Sequence, residues 1–305
     1  MTRAEFAGSV ELVTTRPESP LLIDTHVHVI SPDEIHYPLR PFDASGAGWH
    51  EEIRVAGAEL LSLMDDAKVD GAVVVQAMSA YQDDNAYAAD TAREHPGRFT
   101  CVGIVDAVRD GAPERLEHWV DERGVRGVRL WGLDETGFLS PDDERYVTLA
   151  RRAADLSVPV VVFATADQLP ALGRALELYP DVPVALDHCG FPLPEEGPAP
   201  GRDDALRALA RFENLHLKVT TRVLEPIEAA GGDPREWIQE LAHHFGIERL
   251  MWGSDFPASH ARRYAEHAEL ARHCAEPFSP ADRERFLAGT ALALWPELGR
   301  AAGSS

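Results

Sequence analysis

Cysteine is scarce in this sequence of 305 residues, and the few that occur are poorly placed for cross-linking. Only Cys101, Cys189 and Cys274 are present, an odd number with wide spacings. Domains that depend on disulfides carry paired cysteines, and structural zinc sites use close cysteine pairs. The sequence therefore argues against both kinds of framework and predicts a protein of the reducing cytoplasm.

Basic residues are also few, with 29 Lys and Arg against 51 Asp and Glu and a formal net charge of −22. Nucleic acids and anionic membranes bind basic surfaces, so neither is an expected partner. No apolar run approaches the roughly 20 residues of a membrane helix. Residues 1–20 lack the apolar core of a signal peptide and are interpreted as a polar leader, and residues 299–305 as a tail.

Internal linkers and low-complexity tracts are missing between residues 21 and 298, where one pattern repeats about every 30 residues, as βα units do. Eight short apolar runs predict strands, at 21–29, 71–77, 99–106, 125–132, 159–165, 183–190, 214–220 and 249–257. Eight parallel βα units close naturally into a barrel. The prediction is a single-domain α/β protein, a (β/α)8 TIM barrel. An open doubly wound sheet is the alternative, but its glycine-rich phosphate turn is absent.

Helical spacing of apolar residues predicts helices between these strands, at 57–69, 84–95, 112–123, 141–156, 167–179, 203–212 and 234–246. Two further helical stretches are predicted near 261–274 and 280–295. Residues 31–55 show no clear period and are predicted to form a long loop after the first strand. Loops of that length inside a barrel commonly carry function.

The first apolar run, LLIDTHVHVI at 21–30, contains polar residues at alternate positions: Asp24, His26 and His28. Side chains two apart in a strand project from one face. A His-x-His pair is a compact ligand set for a metal or an oxyanion. Two hydrogen-bonded core histidines are the alternative interpretation.

Barrel enzymes place their chemistry at the carboxyl ends of the strands. His188 lies near the carboxyl end of the sixth predicted strand and Asp255 near that of the eighth, so both are expected to meet His26 and His28 on one rim. Together they could bind one divalent metal, zinc or manganese, or act without metal as a general base with oxyanion donors. Taken singly, His188 could be a core histidine and Asp255 an Asx-turn cap.

Two charged residues interrupt apolar strands, Arg129 in the fourth and Lys218 in the seventh. Buried charge requires a partner. They either neutralise Asp255 and other carboxylates, or they bind an anionic substrate, for which the arginine fork is suited. The full set of predicted substrate contacts is Arg129, Lys218, Gln76, Tyr37, Trp131 and His260.

Three motifs together resemble the amidohydrolase superfamily, and more narrowly amidohydrolase family 2: IDTHVH at 23–28, LDHCG at 186–190 and WGSDFP at 252–257. The resemblance runs over nearly the whole of 21–298. It implies a barrel with the site at the strand ends, in which His26 and His28 match the first-strand histidines. His188 then matches the histidine of strand six and Asp255 the aspartate of strand eight.

The sequence departs from many metal-dependent members of this family at the fifth strand. Those members place a ligand histidine or modified lysine on strand four or five, where this chain has Arg129 on strand four and Phe163, Ala164 and Thr165 on strand five. The pattern is most similar to the branch of 2-pyrone-4,6-dicarboxylate lactonase, in which hydrolysis can proceed without a metal.

The resemblance implies a hydrolase acting on a lactone or related ester of a small polar or anionic compound. Asp255 would activate water, while His26, His28 and His188 stabilise the oxyanion or, with Asp255, hold one metal. Two alternatives stay open: a metal-dependent, non-oxidative decarboxylase of an aromatic or unsaturated acid, and a non-catalytic ligand-binding barrel. The expected partner is a small-molecule substrate, and self-association into a homo-oligomer stays open.

Overall fold

Eight parallel strands form the centre of the structure, a computed structural model that describes residues 20–41, 48–135, 137–192 and 203–299. The strands are β1 Ile23–Val27, β2 Gly71–Val75, β3 Phe99–Asp106, β4 Val128–Trp131, β5 Val160–Val162, β6 Val184–Leu186, β7 Leu215–Thr220 and β8 Leu250–Gly253. Each pairs in parallel with the next in chain order. All but one residue of the predicted leader and all but one residue of the predicted tail lie outside the described residues.

Strands β1 and β8 meet and close the sheet. The His28 N–H donates to the Phe256 carbonyl at 2.8 Å, and the Asp255 N–H donates to the His26 carbonyl at 2.8 Å. Gly253 allows this approach, because a Cβ there would lie 3.0 Å from the Cβ of His26. The predicted (β/α)8 barrel is therefore confirmed.

Helices flank the strands as predicted, with ends that differ by a few residues. Their bounds are α1 Trp49–Glu52, α2 Gly57–Ala67, α3 Met78–Tyr81, α4 Ala86–Glu94, α5 Ala112–Asp121, α6 Glu144–Asp155, α7 Leu169–Leu178, α8 Asp204–Arg207, α9 Thr221–Ala229, α10 Pro234–Phe245, α11 Tyr264–Ala275, α12 Pro280–Glu284 and α13 Thr290–Leu294. A π-helical turn, Arg285–Gly289, separates α12 from α13. No helix among the described residues has the length and apolar character needed to cross a bilayer.

The sequence patterns missed three helices and a hairpin. Helices α1 and α3 have one turn each, too short for a period to be recognised, and α9 contains Pro226, which interrupts a helical pattern. The hairpin pairs Leu133–Asp134 with Gly137–Phe138 directly after β4. The predicted loop 31–55 therefore contains α1. Helix α3, helix α9 and the hairpin follow β2, β7 and β4, so they lie at the carboxyl end of the barrel.

Alternation along β7 shows how the barrel separates its two layers. Leu215, Leu217 and Val219 pack in the apolar layer between strands and helices. Lys218 and Thr220 alternate with them and point into the barrel. The amino end of the barrel interior is apolar, where Met251 and its neighbours pack on Trp295 from the C-terminal segment. Lys218 and Thr220, which lie further along the strand, approach the carboxyl end of the barrel.

Candidate active site

The carboxylate of Asp24 joins β1 to the segment after β8. The Ser254 N–H donates to its Oδ1 at 2.8 Å, and the Tyr264 hydroxyl donates to its Oδ2 at 3.1 Å. Burial raises the pKa of Asp24 to about 6, although the hydrogen bonds from Ser254, His26 and Tyr264 lower it. The bonded carboxylate holds the strand that carries both predicted histidines against the segment that carries Asp255.

His28 presents one ring nitrogen to the site and the other to the backbone. Its Nδ1 lies 2.8 Å from the Val75 carbonyl, which can only accept, so Nδ1 carries the proton. Its Nε2 lies 3.5 Å from Asp255 Oδ1. In the neutral imidazole, Nε2 then offers a lone pair to a carboxylate oxygen, and two acceptors that face each other favour a cation between them.

His26 has the same arrangement with a carboxylate in place of the carbonyl. Its Nδ1 lies 3.1 Å from Asp187 Oδ1, and its Nε2 lies 3.6 Å from Asp255 Oδ1. Burial lowers the pKa of His26 well below its usual value, so the ring is neutral at pH 7. Its Nε2 is fully buried and has no hydrogen-bond partner within the described chain. An unsatisfied buried acceptor costs about 1–3 kcal/mol, a cost that a bound cation removes.

Asp255 supplies the carboxylate that these two nitrogens share. Its backbone has a left-handed φ of 61°, and the Ser259 hydroxyl donates to its Oδ2 at 3.1 Å. Burial raises the pKa of Asp255, but the surrounding histidines lower it by more, His188 most of all, and hold this pKa well below its ordinary value. Asp255 is therefore an ionised carboxylate at neutral pH.

The donor set fits one divalent metal ion. One ligand atom each from His26, His28 and Asp255 lie within 4.8 Å of one another. Two imidazole nitrogens with a carboxylate oxygen suit zinc and other first-row ions. Metal-binding histidines commonly donate their second N–H to a carboxylate or a carbonyl, as His26 does to Asp187 and His28 to Val75.

His188 lies beside this group of three but is not part of it. Its ring centroid is 4.7 Å from that of His26, and its Nδ1 lies 2.8 Å from Thr220 Oγ1. The left-handed φ of 53° at His188 turns the chain at the end of β6. Burial lowers the pKa of His188 to about 4, although Asp255 and Asp187 raise it, so the ring is neutral at pH 7.

A third buried carboxylate of the site, that of Asp187, was missed by the sequence analysis. The Arg129 Nε donates to its Oδ2 at 2.8 Å, and the Lys218 ammonium lies 3.1 Å from its Oδ1. Burial raises the pKa of Asp187, but Lys218, His26 and Arg129 together lower it well below its usual value. The two strand cations thus neutralise a carboxylate, and that carboxylate is Asp187 rather than Asp255.

A cavity of about 180 Å³ opens above Asp255 and is reached by His28, His188 and Arg129. Arg222 also lines it, with Nη1 3.4 Å from Asp255 Oδ2 and a side chain that is 51% exposed. The sequence analysis missed Arg222, whose only signal is a basic residue just after the seventh predicted strand. The space is large enough for water and a small substrate beside the carboxylate.

Two further cavities adjoin the central one and contain two of the predicted substrate contacts. Trp131 lines one of about 230 Å³, which shares Arg129 and Phe163 with the central cavity. His260 lines another of about 430 Å³, which shares Arg222 with it. The His260 Nε2 also lies 3.1 Å from Glu52.

The remaining predicted contacts lie away from the described walls of these cavities. The Gln76 amide donates to the carbonyl of Asp84 at 2.7 Å and holds the loop after α3. The Tyr37 hydroxyl donates to Asp90 at 3.0 Å. Lys218 is fully buried against Asp187. For these three residues the geometry favours a structural role, and a role in binding substrate stays a prediction.

Comparison with known proteins agrees with this architecture. The chain is 26% identical over 283 residues to the L-fucono-1,5-lactonase of Burkholderia ambifaria (strain ATCC BAA-244 / DSM 16087 / CCUG 44356 / LMG 19182 / AMMD), with 88% of this chain and 93% of that protein covered. The crystal structure of a probable 2-pyrone-4,6-dicarboxylic acid hydrolase from Acinetobacter baumannii, with citric acid bound, has a TM-score of 0.72 at 19% identity. That alignment covers 90% of this chain and 99% of the other.

A second solved structure, an amidohydrolase from Burkholderia multivorans with bound zinc, has a TM-score of 0.69 at 23% identity and covers 91% of this chain and 99% of its own. At these identities the two structures show the fold. The family model described as Amidohydrolase matches residues 23–296. The chain therefore belongs to the amidohydrolase family of hydrolases.

Proposed function

We propose that the protein hydrolyses a lactone, with Asp255 as the general base. The observation that carries the proposal is the position of Asp255 Oδ1, 3.5 Å from His28 Nε2 and 3.6 Å from His26 Nε2, at the base of an open cavity. The likeness to an L-fucono-1,5-lactonase over most of both chains supports a lactone C–O bond as the bond that is cleaved. A small-molecule lactone is the proposed partner.

Asp255 can perform both proton transfers that the reaction needs. The ionised carboxylate accepts a proton from a water molecule while the water oxygen attacks the lactone carbonyl carbon. The ring C–O bond then breaks, and the proton passes from Asp255 to the departing ring oxygen. The product is an open-chain hydroxy acid, which ionises in solution.

Arg222 and Ser259 orient the base and the substrate in this scheme. The Ser259 hydroxyl binds Asp255 Oδ2, which leaves Oδ1 directed toward the two histidines. Half of the Arg222 side chain is exposed toward solvent, so its guanidinium can bind the carbonyl oxygen or a substrate carboxylate. Donors that meet a developing oxyanion each contribute about 2.7–4 kcal/mol. His188 is proposed to contribute a further ring N–H there.

We also propose that His26, His28 and Asp255 hold one divalent ion, zinc or manganese. The ion would supply Lewis-acid polarisation of the substrate carbonyl. The support is the buried, unpartnered Nε2 of His26 and the protonated Nδ1 atoms of both histidines, which leave lone pairs toward Asp255. Elemental analysis of purified protein tests this point, with one ion per chain as the expected result.

The experiment is a screen of sugar, alkyl and dicarboxylate lactones, with release of CO2 from aromatic acids measured in parallel. Asp255→Asn is expected to lower kcat by about 10²–10⁴-fold, the usual contribution of a positioned acid–base group. Asp65→Asn is the matched control, because that carboxylate lies on α2 and its side chain is 60% exposed. Near-normal turnover by Asp255→Asn would remove it from the mechanism, and CO2 release without lactone turnover would favour the decarboxylase alternative.

A further inference from the structure

A side cavity lies beside the central cavity above Asp255, hereafter the catalytic cavity. The walls of the side cavity are mainly apolar and aromatic side chains. The side cavity has a volume of about 230 Å³, and its walls include Trp131, Phe138, Leu139, Tyr146, Phe163 and Met78. The hairpin after β4 supplies Phe138, and Leu139 follows it directly. This space is larger than the ~150 Å³ that accommodates benzene in a protein interior.

Some of the polar groups at the edge of the side cavity are bonded within the chain. The Arg129 Nε donates to Asp187, and its guanidinium carbon lies 5.2 Å from the centre of the Phe163 ring. Thr165 and Gln168 bond to each other, since the Thr165 N–H donates to Gln168 Oε1 at 3.2 Å. An apolar guest would remove the apolar part of the wall from water.

Two of the aromatic walls are exposed to a degree that is unusual for large apolar side chains. Phe163 is 41% exposed and Phe138 is 43% exposed, and they border the same cavity. Exposed apolar surface gathered at one concave place commonly marks a ligand contact.

The side cavity borders the catalytic cavity, since Met78, Arg129 and Phe163 line both. Phe163 is 41% exposed, so a substrate whose carbonyl lies at Asp255 would reach the side cavity past this ring. The third cavity, which shares Arg222 with the catalytic cavity, differs because Glu225 and His260 also line it. The catalytic cavity thus has one neighbour lined by charged groups and one that is mainly apolar.

From the position of this apolar cavity next to Asp255 we propose that the lactone substrate carries an alkyl or aryl substituent, which the side cavity binds. The inference rests on the proposed lactone hydrolysis and narrows it to amphipathic lactones. A fully hydroxylated sugar lactone would leave the aromatic walls without an apolar partner and would bring hydroxyl groups out of water against them.

The test compares kcat/KM across δ-lactones with no side chain, with linear alkyl chains of increasing length, with a phenyl group, and with several hydroxyl groups. We expect kcat/KM to rise about fourfold for each methylene buried, until the cavity is filled. Phe138→Ala should lower the ratio of kcat/KM between the longest accepted and the unsubstituted lactone by about tenfold. This ratio is measured within one preparation, so it does not depend on how much of the variant is folded.

Leu178→Ala is the matched control, because Leu178 is 47% exposed on α7 and lies outside the described walls of all three cavities. This variant should leave kcat/KM unchanged for every lactone in the series. Lactone turnover that is independent of the substituent, or highest for the hydroxylated ring, would overturn the inference and leave the proposed function standing. If no lactone is turned over, the proposed function fails. Calorimetry with the phenyl lactone then tests the cavity alone: binding weakened by Phe138→Ala supports it, and absence of binding overturns it.

Discussion

The buried charge cluster around Asp187 makes a quantitative prediction for Asp187→Asn. This change keeps the shape of the side chain but removes the negative charge that lies 3.1 Å from Lys218 and 2.8 Å from Arg129. Arg129 still lines the catalytic cavity and can reach water. Lys218 is fully buried and must either remain charged without a counter-ion or lose its proton.

Losing the proton sets the upper limit of the cost for Lys218. Each pH unit below an ordinary lysine pKa of about 10.4 costs about 1.36 kcal/mol, which is about 3.3 kcal/mol at pH 8. Burial already lowers the pKa of Lys218, and Asp187 partly offsets that effect. We therefore expect Asp187→Asn to reduce the free energy of unfolding by about 3 kcal/mol at pH 8, in the range for broken buried ion pairs.

The same reasoning fixes the sign of the pH dependence. In the variant, the unfolded chain binds a proton at Lys218 that the folded state has lost, so the free energy of unfolding rises with pH. The deficit relative to the unmutated protein should shrink between pH 8 and pH 9.5. Urea unfolding across this range measures it. A loss under about 1 kcal/mol at pH 8, or a deficit that grows with pH, would refute the reasoning.

Three other predictions follow from the site geometry. His28→Gln should weaken zinc binding by at least about tenfold, because it removes one of three ligands; competition with a fluorescent chelator measures this, and unchanged affinity would exclude the site. Gly253→Ala should lower stability by about 1–3 kcal/mol in thermal unfolding, because its Cβ would lie 3.0 Å from that of His26, and an unchanged Tm would contradict this. Arg222→Met should raise KM for lactones with a carboxylate more than for neutral ones, and equal effects on both would remove the proposed contact.

The barrel could be predicted from the sequence because each of its strands is a short apolar run between helical patterns. Seven of the eight strands differ from their predicted bounds by a few residues at one end or both, and Phe99–Asp106 matches its predicted bounds. The alternation in the first strand correctly brought His26 and His28 to one place, but a register shift between Asp24 and Val27 turns Asp24 to the other face, where Tyr264 of α11 binds it. Short apolar runs predict barrel strands reliably because every strand of the barrel is buried on both of its faces.

The pairing of charges could not be predicted, because it depends on contacts between strands far apart in the chain. Arg129 and Lys218 were recognised as charges inside apolar strands, but Asp187 was not recognised as their partner, because the sequence does not show which charges the closed barrel brings together. Arg222 lies in a helix that the pattern missed because of Pro226. The apolar side cavity depends likewise on a short hairpin that has no periodic signal.

His26 connects two carboxylates of the site, and this connection separates stability from activity. Its Nδ1 faces Asp187 and its Nε2 faces Asp255, so Asp187 fixes the tautomer of a residue that faces the base. Adding Lys218→Met to Asp187→Asn removes the unpaired buried ammonium with little change in volume, and should recover most of the lost free energy of unfolding. The double variant still lacks the carboxylate that orients His26. It should therefore unfold at nearly normal urea concentration while kcat stays reduced, and recovery of both quantities together would show that Asp187 acts only through the fold.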